Sequence, residues 1–154
     1  MRYFLDTEFN GFGGALLSLA LVPDDGDEFY ATIACTDPLH PWVERNVIPY
    51  LDHVPFQMQT RPIARAEAAE AVAAYLARDP HPFIVADWPD DIAQFCSLLL
   101  IGEGRMVPLQ TVDFQLLPLP NFSTSHNSKV PHNALHDARA LREHVLSMEM
   151  QQRP

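Results

Sequence analysis

The sequence is poor in positive charge, in cysteine and in long apolar runs. Against 20 Asp and Glu it carries 10 Lys and Arg, a formal net charge of −10 over 154 residues. A protein that holds long nucleic acid by electrostatics alone needs a basic face to neutralise phosphates, and this composition argues against that mode. Two readings of the acidity remain: a surface kept acidic for solubility, or a carboxylate cluster whose charge is offset by bound cations. Cys35 and Cys96 lie far apart with no C-x-x-C spacing. That argues against a disulfide framework or a zinc site and for a reducing, cytoplasmic setting. No apolar run approaches the roughly 20 residues of a membrane span. The opening Met-Arg-Tyr-Phe-Leu-Asp meets a charge at Asp6 before a secretory stretch can form. No internal repeat or low-complexity tract is present, and the length fits one domain over 1–154 with its core in about 2–148.

What is present reads as alternating strands and helices. Residues 2–6, rich in aromatics, the apolar run 15–22, and residues 27–34 read as strands. They are separated by Asn10-Gly11-Phe12-Gly13-Gly14 and by Pro23-Asp24-Asp25-Gly26, so they predict an antiparallel meander of three strands. A short helix is expected over 41–51, opened by Pro41. A longer one is expected over 62–78, with Ile63, Val72, Tyr75 and Leu76 on one face and Pro80 and Pro82 beyond its end. Phe83-Ile84-Val85-Ala86 reads as a buried strand. A helix starting at Asp90 or Asp91 should run to about 101, stopped by Gly102 and Gly104. Residues 104–131, with Pro108, Pro118, Pro120 and Pro131, read as a long polar loop. A last helix over about 133–148 would bury Leu135, Ala138, Leu141, Val145 and Met148. This order suits an α/β layered domain with helices covering a mixed sheet.

Three groups of residues carry candidate chemistry. In Asp6-Thr7-Glu8 the two acids lie at i and i+2 on a strand and project from one face. Two ionised carboxylates so placed repel each other, and a divalent cation with its preference for oxygen ligands removes that cost. Two solvated acids at a strand end would look the same. In His132-Asn133-Ala134-Leu135-His136-Asp137 a histidine stands at the entry to a helix and an acid in its first turns, so both can face one place. A histidine near neutral pKa can take a proton from water, although a capping histidine and a first-turn Asp are ordinary in themselves. In Asp87-Trp88-Pro89-Asp90-Asp91 the acids follow a buried strand and open a helix, where helix capping is an equally good reason for them.

Taken in order, these pieces resemble the three motifs of the DEDDh exonuclease superfamily, the DnaQ-like or ribonuclease T-like enzymes. Phe4-Leu5-Asp6-Thr7-Glu8-Phe9 is similar to the first motif, and His132-Asn133-Ala134-Leu135-His136-Asp137-Ala138-Arg139 to the third. Asp91-Ile92-Ala93-Gln94-Phe95-Cys96 fits the second best, with Asp87 and then Asp90 as alternatives, because the usual Asn before the acid is missing. The opening residues, with Trp42-Val43 and Val47-Ile48-Pro49, also resemble a small bacterial, exoribonuclease-like branch, and the resemblance spans roughly 2–146. It implies a ribonuclease H-like fold, with a mixed central β-sheet flanked by helices, and two Mg²⁺ or Mn²⁺ ions held by Asp6, Glu8, Asp91 and Asp137. It further implies His132 as general base beside a catalytic Glu8, and Phe9 and Thr7 against the substrate. That substrate is expected to be single-stranded nucleic acid, RNA before DNA, cut from the 3′ end to nucleoside 5′-monophosphates, with no membrane and with a homodimer as the family analogy. Phe12 and Phe122 are further stacking candidates, and Asn10 and Lys129 further candidates for contact with phosphate or sugar. A DNA-directed exonuclease, a non-catalytic nucleic-acid-binding domain of the same fold and another metal phosphohydrolase are the competing readings.

Overall fold

A computed structural model of the chain describes residues 1–152. Its centre is a five-stranded mixed sheet built from β1 (Arg2–Phe9), β2 (Leu16–Pro23), β3 (Phe29–Thr32), β4 (Phe83–Ala86) and β7 (Asp113–Leu116), ordered β3-β2-β1-β4-β7. The meander is antiparallel, with Asp6 opposite Ala20 and Ala20 opposite Tyr30. Beyond β1 the sheet turns parallel: Phe4 pairs with Val85, and Val85 with Gln115. β1 runs on past the last β4 partner, so Asp6 and Glu8 stand at the carboxyl ends of the two parallel strands. Open α/β sheets characteristically bind ligands in a crevice outside the carboxyl ends of their parallel strands.

All eight residues of β2 are buried, as expected of a strand covered on both faces. One cover is α2 (Arg65–Leu76) and α3 (Pro89–Leu98), whose Ala69, Val72, Leu76, Phe95 and Leu98 pack on Tyr3, Leu5 and Ile84. The other is α5 (Ala134–Gln151), whose Leu135, Ala138, Leu141 and Val145 pack on Phe4, Ala20 and Val85. Met148, expected in that stripe, is half-buried near the helix end. Asn133 caps α5 by accepting from the Leu135 and His136 N–H groups at 3.2 and 3.3 Å. The side-chain alternation of β1 now has a meaning: Tyr3, Leu5 and Thr7 face α3, whereas Phe4, Asp6 and Glu8 face α5.

Three expectations change. The helix expected to run to about 101 ends at Leu98, and a short strand follows over Leu100–Gly102. The helix expected over 41–51 is α1 (Pro41–Asn46) followed by a 3-10 turn (Ile48–Tyr50), because Pro49 lacks an N–H and disfavours a helical residue before it. The expected loop 104–131 contains β6 (Arg105–Met106), which pairs with β5 (Leu100–Gly102), then the edge strand β7, and the single turn α4 (Thr124–Asn127). Each residue of β7 is exposed, so the strand lacks the burial pattern by which a sequence advertises one. No helix among the described residues is long and apolar enough to cross a membrane.

Candidate active site

Three elements far apart in sequence deliver acids to one cavity of about 300 Å³. Asp6 and Glu8 come from the end of β1, Asp91 from the first turn of α3, and Asp137 from the first turn of α5. Asp87, just past β4, adds a fifth carboxylate, and His132 closes one side. Asp6, Asp91 and Asp137 are all buried. Two helix N-termini therefore point at the cavity, and each favours negative charge there by a modest amount.

Hydrogen bonding is incomplete in a telling way. Asp91 Oδ1 accepts from both the N–H and the hydroxyl of Thr7, at 3.0 and 2.6 Å. Asp137 Oδ2 accepts from the backbone N–H of His132 at 3.1 Å. Asp6 Oδ2 and Asp137 Oδ1 are buried with no hydrogen-bond partner among the described residues. An unpaired buried carboxylate oxygen costs several kcal/mol unless the group is protonated or paired with a cation. The acids respond accordingly. Burial, then the charges of Asp91, Asp137, Glu8 and Asp87, holds the Asp6 carboxyl well above the usual carboxylate range. Burial, then Asp137 and Asp91, does the same to Glu8. Burial pushes Asp91 up to about 7 despite the Thr7 hydrogen bonds, and Asp137 up to about 6. An all-oxygen donor set with orphaned lone pairs and mutually repelling charges fits hard divalent cations such as Mg²⁺ or Mn²⁺.

His132 sits at φ 64°, a left-handed conformation rare outside glycine and found where surroundings impose it. Its ring packs edge-on against Trp42 at 5.0 Å. Burial pushes its pKa below the ordinary histidine value, so the neutral imidazole dominates at neutral pH and can accept a proton. One donor atom each from Glu8, His132 and Asp137 lies within 4.8 Å of the others.

Beside the acids, across Glu8 and Trp88, opens an apolar hollow of about 510 Å³ walled by Phe9, Phe12, Trp42 and Trp88. Phe12 and Trp88 are exposed at 89% and 52%, the kind of unsupported aromatic surface that marks a binding site rather than a core.

The sequence-derived candidates therefore fall into groups. Asp6, Glu8, Asp91, Asp137 and His132 come together, Asp87 joins them, and Asp90 does not line the cavity, its carboxylate instead taking the Trp88 Nε1–H at 3.3 Å. Phe9 lines the apolar hollow. Thr7, expected against substrate, is buried with both donors committed to Asp91, because position 7 faces α3 rather than the cavity. Asn10 spends its amide on the Pro38 carbonyl and the His40 N–H, which fixes the loop rather than a phosphate. Phe122 lines the acidic cavity, and Lys129 lines a separate hollow on the far side of His132. Trp88 was missed by sequence reasoning; the signal was a tryptophan between a buried strand and a Pro-initiated helix, where no core position exists to take it.

No family model matches the chain. It is similar to two curated proteins, the 3′-5′ exoribonuclease of Mycobacterium tuberculosis in strains CDC 1551 / Oshkosh and ATCC 25618 / H37Rv, with 44% identity over 55 residues in each case. The matched segment is 33% of this chain and 33% of each relative, so the chain spans about a third of the length of the curated relatives it matches.

Proposed function

We propose that the chain is a metal-dependent 3′–5′ exonuclease with a ribonuclease H-like fold, acting on single-stranded nucleic acid and on RNA in preference to DNA. The observation that carries this is the convergence of Asp6, Glu8, Asp91 and Asp137 from three elements on one cavity, with buried, unpaired carboxylate oxygens and a neutral histidine at its edge. The RNA preference draws on the exoribonuclease activity for which the partial relatives are named. Asp6, Glu8, Asp91 and Asp137 would hold two divalent ions. When bound, the ions supply charge neutralisation at the phosphate and a lowered pKa for water.

The rest of the work falls to the chain itself. The hollow between Trp42, Trp88, Phe9 and Phe12 takes the 3′-terminal base by stacking and needs no positive charge. Such stacking supports binding of nucleic acid by a chain of net charge −10 without a basic face. His132 accepts the proton of the attacking water at an imidazole nitrogen. The oxygen of that water bonds to the terminal phosphorus as the bond to the 3′ oxygen of the preceding nucleotide breaks; that oxygen takes a proton from solvent to leave a 3′-hydroxyl, and a nucleoside 5′-monophosphate is released. Thr7 aims Asp91, and the His132 N–H aims Asp137, so each is a positioning contact.

The test is shortening of a 5′-labelled single-stranded RNA and its DNA counterpart with Mn²⁺, with Mg²⁺ and with EDTA, beside His132→Ala. The expected result is a ladder receding from the 3′ end, faster on RNA, absent in EDTA and strongly reduced in the variant. Folded protein that shortens neither strand with any metal would overturn the proposal; faster shortening of DNA would reverse the sugar preference alone.

A further inference from the structure

Within the acidic cavity one subset of donors differs in kind from the rest. Glu8, His132 and Asp137 offer two carboxylate oxygens and one imidazole nitrogen within 4.8 Å of one another, and among the described residues no other group of His, Cys, Asp and Glu is so spaced. Oxygen-only sets suit Mg²⁺, Ca²⁺ and Mn²⁺, whereas a set containing imidazole suits Zn²⁺ and the metals that resemble it. Around Zn²⁺ three protein donors at bond lengths near 2.0–2.2 Å stand roughly 3.3 Å apart and leave a fourth position open.

Three further features prepare the donors. Asp137 Oδ1 is buried, 2% of the residue being exposed, and it has no hydrogen-bond partner among the described residues. Asp137 Oδ2 holds the His132 backbone N–H at 3.1 Å, which ties the histidine to the carboxylate it would share an ion with. The edge-on packing of Trp42 limits how far the ring can swing. Donors fixed by such contacts lose little freedom on binding an ion.

We propose that Glu8, His132 and Asp137 form a single-ion site for a zinc-class divalent cation, and that an ion held there switches the nuclease off. The imidazole lone pair that ligates the ion cannot accept a proton, and Glu8 and Asp137 are withdrawn from the Mg²⁺ or Mn²⁺ pair. The blocking effect rests on the exonuclease reading above, whereas binding of the ion does not. Free Zn²⁺ thus becomes a ligand that sets activity, competing with Mn²⁺ for two shared carboxylates.

The experiment is calorimetric titration of the metal-free full chain with Zn²⁺, and spectroscopic titration with Co²⁺, whose visible ligand-field bands are intense only in four-coordinate sites. One equivalent of Zn²⁺ is expected to bind more tightly than Mg²⁺ and to bleach the Co²⁺ bands. His132→Ala should weaken Zn²⁺ by at least about tenfold and remove the bands. Glu8→Gln should weaken it likewise. His136→Ala should leave it unchanged, since that ring bonds the His53 carbonyl at 2.8 Å and lies outside the trio. Zn²⁺ should also stop Mn²⁺-driven RNA shortening at near-stoichiometric concentration. Equal Zn²⁺ affinity in His132→Ala and the wild type, or no Zn²⁺ binding tighter than Mg²⁺, would overturn the site. Tight, His132-dependent Zn²⁺ binding without any Mn²⁺-driven shortening would overturn the exonuclease reading and the blocking effect while upholding the site.

Discussion

Replacing Asp91 by asparagine removes one negative charge from the cavity and keeps an acceptor for both Thr7 hydrogen bonds, now at 3.0 and 2.6 Å to Asp91 Oδ1. The magnitude follows from the carboxyl itself. It is pushed from 3.8 up to about 7, chiefly by burial. At about 1.4 kcal/mol per pKa unit, its ionisation at pH 8 costs the metal-free fold on the order of 4 kcal/mol. The new amide loses part of this, because a neutral acceptor binds the Thr7 donors more weakly and its NH₂ needs a partner, a cost of roughly 1–2 kcal/mol. Asp91→Asn should therefore stabilise the metal-free protein at pH 8 by about 2 kcal/mol, which raises Tm by roughly 4–8 °C at this chain length. With Mn²⁺ the order should reverse, since the wild type gains ligand stabilisation that the variant lacks, and nuclease activity should fall at least about 100-fold. Differential scanning calorimetry at pH 8, in EDTA and in Mn²⁺, reads both signs. A metal-free variant less stable than the wild type, or an equal Mn²⁺-induced rise in both proteins, would refute the reasoning.

Other perturbations give separate readings of the same site. His132→Ala should lower kcat by roughly 10²–10⁴ with KM little changed, as measured on a short RNA, because the half-buried ring accepts a proton and does not hold substrate. Thr7→Val keeps the shape but takes the hydroxyl from Asp91; at roughly 1.5–3 kcal/mol for a hydrogen bond to a charge, the Mn²⁺ concentration giving half-maximal activity should rise about tenfold or more. Asp91 and Asp137 are both raised above 3.8 in the fold, so the folded state binds protons that the unfolded chain has released. Their contribution to stability is fully present below about pH 4 and is lost as pH rises through about 6 to 7. Thermal melts in EDTA should show that loss, and saturating Mn²⁺ should flatten it. Trp88→Ala should raise KM for RNA about tenfold, since base–aromatic stacking is worth roughly 1–3 kcal/mol, and should leave the folding temperature within a few degrees because the ring is exposed.

Much of the site could be read before the fold was seen, because its donors obey local periodicities. Asp6 and Glu8 share a strand face by the two-residue repeat. Asp137 and His132 bracket a helix start that Asn133 caps. Thr7 shows where that reasoning stops. The same repeat that aims Asp6 and Glu8 at the cavity turns residue 7 to the opposite face, where Asp91 reaches it from α3 across 84 positions of sequence. Such a long-range contact leaves no local trace. Spacing favours Asp91 over Asp87, since Phe95 and Leu98 lie at +4 and +7 from it as a buried face; in the fold both acids line the cavity, and Asp91 is the buried one that holds the Thr7 donors. β7 escaped notice for the complementary reason. Its Asp-Phe-Gln-Leu is exposed throughout and belongs to the sheet only through its parallel pairing with β4.

The most direct measurement is anomalous diffraction from crystals grown with Mn²⁺ and a nucleoside 5′-monophosphate. The account predicts two peaks roughly 4 Å apart, ligated by Asp6, Glu8, Asp91 and Asp137, with the base between Trp42 and Trp88. A cavity without anomalous density in excess Mn²⁺, or ions bound only outside it, would contradict the account.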